Sequence, residues 1–286
     1  MTFSLVACDL NASSGAEWGV VVASKFLAVG SVVPWARAGV GAVATQAFAE
    51  ISFGPRGLEM LESGEPADKV VDALISADSQ GGDRQLGIVD VRGRAATFTG
   101  DDCFDWAGGV AREGFCCQGN ILVGPEVVDD CVRAFEEASG DLATRLVAGL
   151  SAGDRAGGDR RGRQSAGLLV TREGAGYGGA SDVAVDLRVD DHADPVGELG
   201  RLLDLHRLYF PRLDELDFTP IDADLASEIR SLLVRNGYSV PVSGPYDEGL
   251  KKVLFEYVGT ENLEERWSEE PQIEKRVLQY MRNAST

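Results

Sequence analysis

An α+β fold is predicted for this chain: two antiparallel sheets packed face to face with helices outside, followed by a small all-α domain. Three observations predict it. Strand-like runs come in neighbouring groups separated by pairs of helical runs, whereas a parallel doubly wound sheet needs strict alternation of strand and helix. Some of these runs lie close enough to form hairpins, as at 84–91 and 94–99 around Arg92-Gly93. Beyond Pro211 glycine becomes sparse, strand signals stop and three helical runs follow. The expected domains are therefore 1–212 and 213–286.

The elements follow in order. Apolar runs rich in Val and Ala occupy 1–10, 18–26 and 27–46, broken by Asn11-Ala12-Ser13-Ser14-Gly15, and read as the opening strands. Residues 47–63 place Phe48, Ile51, Leu58 and Leu61 on a helix restarted at Pro55 as a first-turn proline. Pro66 opens a second helix through Val70, Val71, Leu74 and Ile75. A strand is expected at 115–123. Gly124-Pro125 then starts a helix with Val127, Val128, Cys131, Val132 and Phe135 on one side, and another follows at 142–150. Strands 165–171 and 183–189 pair across a glycine-rich loop at 174–179, and Pro195 opens a helix carrying Val196, Leu199, Leu202 and Leu203. In the tail, 222–235, 245–258 and 271–281 read as helices.

Composition narrows the function classes. The 286 residues are 44% hydrophobic and 26% charged, which suits a globular protein with one large domain and a small one. A net charge of −19 is a poor match for a phosphate backbone, so nucleic acid is not an expected partner. No apolar run reaches the length of a membrane span. The first residues lack a basic, long apolar leader, so a cytoplasmic protein is expected. The five cysteines, Cys8, Cys103, Cys116, Cys117 and Cys131, lack C-x-x-C spacing and read as reduced thiols. With His192 and His206 as the two histidines, neither a metal site nor a cofactor is expected.

Thr2 follows Met1 directly. Aminopeptidases remove Met1 efficiently when the next side chain is small, which would place a hydroxyl and a free α-amine on one residue. That amine, with an ordinary pKa near 8, can take the proton of its own hydroxyl at neutral pH. Many proteins carry Thr at this position with no catalytic role. The blocks MTFSLVACD, GVVVASKFLAVGSVVPWARAGVGAVATQ, GPRGLEML, QGNILVGPEVV, GGDRRGRQSAGLLV and VDLRVDDHADPVGELGRLLDLHR occur in this order. Together they resemble the domain-of-unknown-function family 1028, which in turn resembles the N-terminal-nucleophile (Ntn) hydrolases. The resemblance implies a four-layer αββα sandwich and makes Thr2 the nucleophile. In the tail, IRSLLVRNGYSVPVSGPYDEGLKKVLFEYVG resembles small peptidoglycan-binding-like helical domains, with generic docking or dimerisation as the alternative.

An Ntn site also needs side chains that tune the amine and donors that hold an oxyanion. The second strand runs into Ser24-Lys25, and strand alternation lets one of the two face Thr2. In proteasome-like relatives an acid ends this strand and a lysine follows; here Ser24 stands in the acid's place and Arg37 is the base nearest the expected lysine. Lys25 has the alternative of a solvated strand end. Arg37 is a candidate for a substrate carboxylate or for a salt bridge. Thr45-Gln46 closes a strand just before a helix, where backbone N–H groups converge on an anion. Asn120, beside Gly119, offers an amide donor or satisfies a bulge. The island at 157–163 offers Arg161, oriented by Asp159, to an anionic substrate group, or forms a solvated loop.

Three other patterns carry no function. Gly39-x-Gly41-x-x-Ala44 lacks an acidic partner at a strand end. Asp194 before Pro195 is a helix N-cap, not part of a metal cluster with Asp190, Asp191 and His192. Cys116 and Cys117 belong to the core. The expected activity is cleavage of an amide in a small or peptide-like substrate, including wall-derived ones, with a peptidoglycan fragment as partner of the tail and self-association left open. The alternatives are a non-catalytic ligand-binding protein on the same scaffold, or a hydrolase using Cys8.

Overall fold

A computed structural model describes residues 2–212, 215–241 and 243–283. Two compact units divide between Leu203 and Asp204. Residue 213, where the second domain was expected to begin, lies outside the described residues.

In the first unit β1 (Thr2–Asp9) and β2 (Glu17–Ser24) form an antiparallel pair at the centre of a six-stranded sheet. On one side of it lie β9 (Ser165–Thr171) and β10 (Val183–Val189); on the other lie β8 (Phe115–Asn120) and β7 (Gly108–Arg112). A second antiparallel sheet runs in chain order through β3 (Pro34–Arg37), β4 (Gly41–Ala47), β5 (Arg84–Asp90) and β6 (Ala95–Thr99). The helices are α1 (Phe53–Glu62), α2 (Ala67–Ser76), α3 (Glu126–Glu137), α4 (Leu142–Arg155) and the first part of α5 (Pro195–Tyr209), whose residues from Asp204 on belong to the second unit.

Side-chain alternation along these strands explains how the sheets are covered. On β1, Phe3, Leu5 and Ala7 join Cys131, Phe135, Leu146 and Leu199 of α3, α4 and α5 in one core. The alternate residues Val6 and Cys8 join Val20, Val22, Ala42, Ala44 and Val89 in a second core drawn from both sheets. The opposite face of the smaller sheet, through Val43, Leu86 and Ile88, packs on Phe53, Leu58, Val70 and Leu74 of α1 and α2.

Three differences from the sequence reading have local causes. The first helix starts at Phe53 rather than at 47, because Ala47 turns to φ 70° and the chain crosses an irregular connection before Pro55 enters the first turn. The strand expected to reach 123 stops at Asn120, because Ile121 takes φ 51°. Edge strand β7 escaped notice because Gly108-Gly109 gives no β signal.

The second unit gathers α6 (Ala223–Arg235), α7 (Glu248–Thr260) and α8 (Lys275–Asn283) around Ile229, Leu233, Leu254, Tyr257 and Val277. Its expected all-α character needs correction: β11 (Phe218–Pro220) pairs antiparallel with β12 (Gln272–Glu274). Three-residue strands are too short to show alternation. Among the described residues no helix is long and apolar enough to cross a membrane.

Candidate functional site

The core between the two sheets is apolar over most of its extent and turns polar at one end. Position parity dictates which side chains meet there. On the faces that carry Val6, Val22, Ala44 and Cys116, the next inward positions are Ser4 and Thr2, Ser24, Gln46, and Gln118 and Asn120. Register completes the grouping, since Thr2 sits opposite Asn120 and Ser4 opposite Gln118.

These groups form a buried hydrogen-bond ladder. Ser4 Oγ donates to Gln46 Oε1 at 2.7 Å and accepts from Gln118 Nε2 at 2.7 Å. The amides of Gln46 and Asn120 both donate to Gln85 Oε1, at 2.7 and 2.9 Å. Gln85 in turn donates to Gly119 O at 2.7 Å and to Thr99 Oγ1 at 2.9 Å. Gly87 leaves the room this needs, because a Cβ there would overlap the Gln118 amide. A satisfied network of this kind rigidifies its strands and fixes their mutual position.

Thr2 lies at the mouth of this ladder, 6% exposed, with Oγ1 3.1 Å from Ser24 Oγ. It lines a cavity of about 600 Å³ together with Gln46, Asn120 and Arg161. The other sequence candidates fall elsewhere. Lys25, on the opposite parity from Ser24, is exposed and does not line the cavity. Arg37 is on the surface, paired with Glu62 at 2.6 Å. Thr45 faces away from the larger sheet, and its hydroxyl donates to Glu50 O at 3.1 Å, bracing the β4–α1 connection. Asp159 is buried and acts as a pin: its carboxylate accepts from Lys25 N at 2.7 Å and from Arg161 N at 2.8 Å. Gly197 N donates to Asp194 Oδ1 at 3.3 Å, at the start of α5.

Sequence reasoning missed the remaining wall. Phe26, Phe48, Ile51 and Phe104 line the cavity from three connections between elements, so Phe48 and Ile51, expected on the apolar side of a helix, stand instead before its start at Phe53. Arg84 also lines it, with its guanidinium committed to Asp78 at 2.6 Å, to Gln80 Oε1 at 3.0 Å and to Phe48 O. That contact with Arg84 holds the Asp78 carboxyl below the usual carboxylate range. Cys103 lines the cavity too, and burial pushes its thiol up. Cys8 lies in the inter-sheet core away from the cavity, its thiol pushed up to about 12 by burial, then by Asp9 and Asp90. A buried thiol of that kind is inert.

Backbone strain collects at the same place. Among the described non-glycine residues, positive φ occurs at Ala28, Ala47, Ile121 and Asn262, and two of these four, Ala47 and Ile121, line the cavity. A β-branched residue in the left-handed region costs about 1–3 kcal/mol and persists only where its surroundings fix it. Here Ile121 N donates to Phe104 O at 2.9 Å and Ile121 O accepts from Arg160 N at 3.3 Å.

Comparison with known proteins places the fold and its lineage. The model for the "Family of unknown function (DUF1028)" matches residues 2–199. The chain belongs to the DUF1028 family. A solved DUF1028 structure, protein SPO2555 from Silicibacter pomeroyi, is 30% identical and superposes with a TM-score of 0.65, covering 72% of this chain and 89% of that one. A Gly-1 mutant of Anbu from Hyphomicrobium sp. strain MC1 aligns over 76% of this chain and 100% of that one, at 13% identity and a TM-score of 0.34, too distant to bear on the argument. Residues 209–281 match the model described as "Putative peptidoglycan binding domain". No curated protein matches the chain.

Proposed function

We infer that this DUF1028 member is an amidohydrolase of the N-terminal-nucleophile type, with Thr2 as nucleophile. The observation that carries the reading is the place of Thr2: it starts a central strand of the larger sheet, its Oγ1 meets Ser24 Oγ at 3.1 Å, and it opens on the 600 Å³ cavity. The three cores between helices and sheets support a four-layer αββα sandwich, the architecture on which such nucleophiles sit.

Met1 lies outside the described residues, and its removal is the condition for the chemistry. The amine so formed on Thr2 accepts the Oγ1 proton as Oγ1 attacks the amide carbonyl. Ser24 Oγ orients Oγ1. Asn120 lines the cavity beside Thr2, and its amide has a second N–H beyond the one given to Gln85, which serves the oxyanion, whereas the Gln46 amide also donates to Gln118 O at 3.4 Å and to Thr2 O at 3.5 Å and fixes the strand start. Collapse of the intermediate expels the amine with the transferred proton, and water then hydrolyses the Thr2 ester. The match at 209–281 extends the reading to a peptidoglycan-derived fragment as ligand of the second unit.

The competing reading is ligand binding without turnover, favoured by the commitment of both amides to Gln85. Intact mass of protein from its native host decides the precondition. Loss of one methionine together with amide turnover abolished in Thr2→Ala, at nearly unchanged Tm, is the expected result. Retained Met1 leaves the binding protein, and full activity in Thr2→Ala rules out Thr2 as the nucleophile.

A further inference from the structure

We propose that the cavity beside Thr2 is a built acyl pocket, and that the substrate is an amide whose acyl half is a long aliphatic or aromatic group with no charge of its own. The proposal rests on the reading above only in placing the acyl carbonyl at Thr2.

The rim carries it. Phe26, Phe48, Ile51 and Phe104 line the cavity yet leave 52%, 59%, 51% and 58% of their surface in solvent. Scattered exposed apolar side chains need no explanation, but four bordering one cavity next to a candidate nucleophile mark a binding surface. Phe48 and Phe104, from different connections, meet edge to face with ring centres 6.2 Å apart. Below them the wall continues with Val29, Val33 and Ala47.

The rim is anchored rather than loose. Ser165 Oγ donates to Phe26 O and accepts from Val29 N at 3.0 Å, while Asp159 holds Lys25 N. Arg84 donates to Phe48 O, and Thr45 braces the same connection at Glu50 O. Phe104 O accepts from Ile121 N. Each ring thus stands on backbone fixed from outside its own connection, so little ordering cost falls on ligand binding.

Charge points the same way. Among the described residues, the cations lining the cavity are Arg84 and Arg161; the Arg84 guanidinium is spent on Asp78, Gln80 and Phe48 O, and Arg161 is tied to Asp159 at 3.4 Å. Asp83 and Asp102 line the cavity as well, in a protein of net charge −19. A substrate with several carboxylates, such as a wall peptide, would meet two acids and waste the apolar rim. An uncharged acyl chain gains from every methylene it buries.

The test is calorimetric titration of the full-length protein with butanoate, hexanoate, octanoate, decanoate and phenylacetate, the carboxylate products of such amides. Affinity is expected to rise about fourfold per added methylene until the cavity is filled. Phe48→Ala and Phe104→Ala should each weaken octanoate by about tenfold. A flat series, or rim variants that bind octanoate as tightly as the parent, overturns the proposal. So does a change in oligomeric mass in those variants with unchanged affinity, which would make the rim a contact between copies. If the series holds and no amide is turned over, the nucleophile reading fails and the pocket stands. If Thr2 turns over amides with no preference for acyl length, the pocket fails and the nucleophile stands.

Discussion

Ser24 ends β2 on the same side as Val20 and Val22, which is why its hydroxyl, and not the Lys25 ammonium, meets Thr2. Removing that hydroxyl takes a positioning contact from Oγ1 at the moment it becomes the attacking atom. Ser24→Ala is expected to lower kcat/KM on a turned-over amide by about ten- to a hundredfold, with about 1 kcal/mol lost in stability. Ser24→Thr keeps the hydroxyl and should recover most of the rate; equal rates for Ser24→Ala and parent would remove Ser24 from the site. How much of the site could be read in advance follows from the same parity. Thr2, Gln46 and Asn120 stand out as polar residues ending apolar strands, and all three line the cavity. Arg37 and Thr45 also lie on the strands of the smaller sheet, but sequence does not say which face a strand turns inward until the partner sheet is known. Gln85 and Gln118, at the centre of the ladder, had the same signal, an amide inside an apolar strand, and went unread. The phenylalanines of the rim are misplaced or unmarked in sequence: Phe26 reads as the end of a strand and Phe48 as a helix face, and Phe104 has no signal, because an aromatic in an irregular connection looks alike whether it lines a pocket or faces water.

Elements were legible where proline or a capping acid starts them. Pro66, Pro125 and Asp222 each stand immediately before a helix, with the Asp222 carboxylate accepting from Leu225 N at 2.8 Å. The helix expected at 271–281 begins only at Lys275, and the structure shows why. Glu274 closes β12 and starts α8 at once, its carboxylate accepting from Arg276 N at 2.8 Å and Val277 N at 3.2 Å. The same carboxylate faces Arg266 Nη1 at 3.0 Å, with both side chains almost wholly buried. Arg266 also donates to the carbonyls of Arg207 and Leu208, satisfying the last turn of α5. Burial lowers the Arg266 pKa, against the opposing pull of Glu274. Such a pair is costly to break and cheap to replace whole. Arg266→Met is expected to destabilise the second unit by about 3–5 kcal/mol in urea unfolding, because it strands a buried carboxylate and two carbonyls. Arg266→Met with Glu274→Gln should recover part of that loss. A double variant no more stable than the single one would show that the carbonyl contacts alone matter.

At the scale of the whole molecule, 46 acidic against 27 basic residues set the response to salt and pH. Two effects oppose each other as pH falls. Self-repulsion at a net charge of −19 eases as the chain approaches its pI of about 4.5, which favours the folded state. Against this, several carboxyls have lowered folded pKa values: Asp78 and Glu198 through hydrogen bonds from Arg84 and Arg201, Glu228 through Arg282, and Asp247 first through Leu250 N. A depressed folded pKa means stability that is present above the unfolded value, near 4, and is lost as pH falls through the lower folded value. Repulsion is long-range and strongly screened by salt, whereas these contacts are short-range hydrogen-bonded pairs that salt weakens less. The two therefore separate. In dilute buffer Tm should rise from about pH 8 to about pH 5.5 and fall below about pH 4.5, and in about 0.5 M NaCl the rise should flatten while the acid fall remains. Adding salt at pH 7 should raise Tm. A Tm lowered by salt at pH 7 would mean that attractive pairs outweigh the excess of acids, and one that climbs steadily to pH 4 would mean that the paired carboxylates contribute nothing.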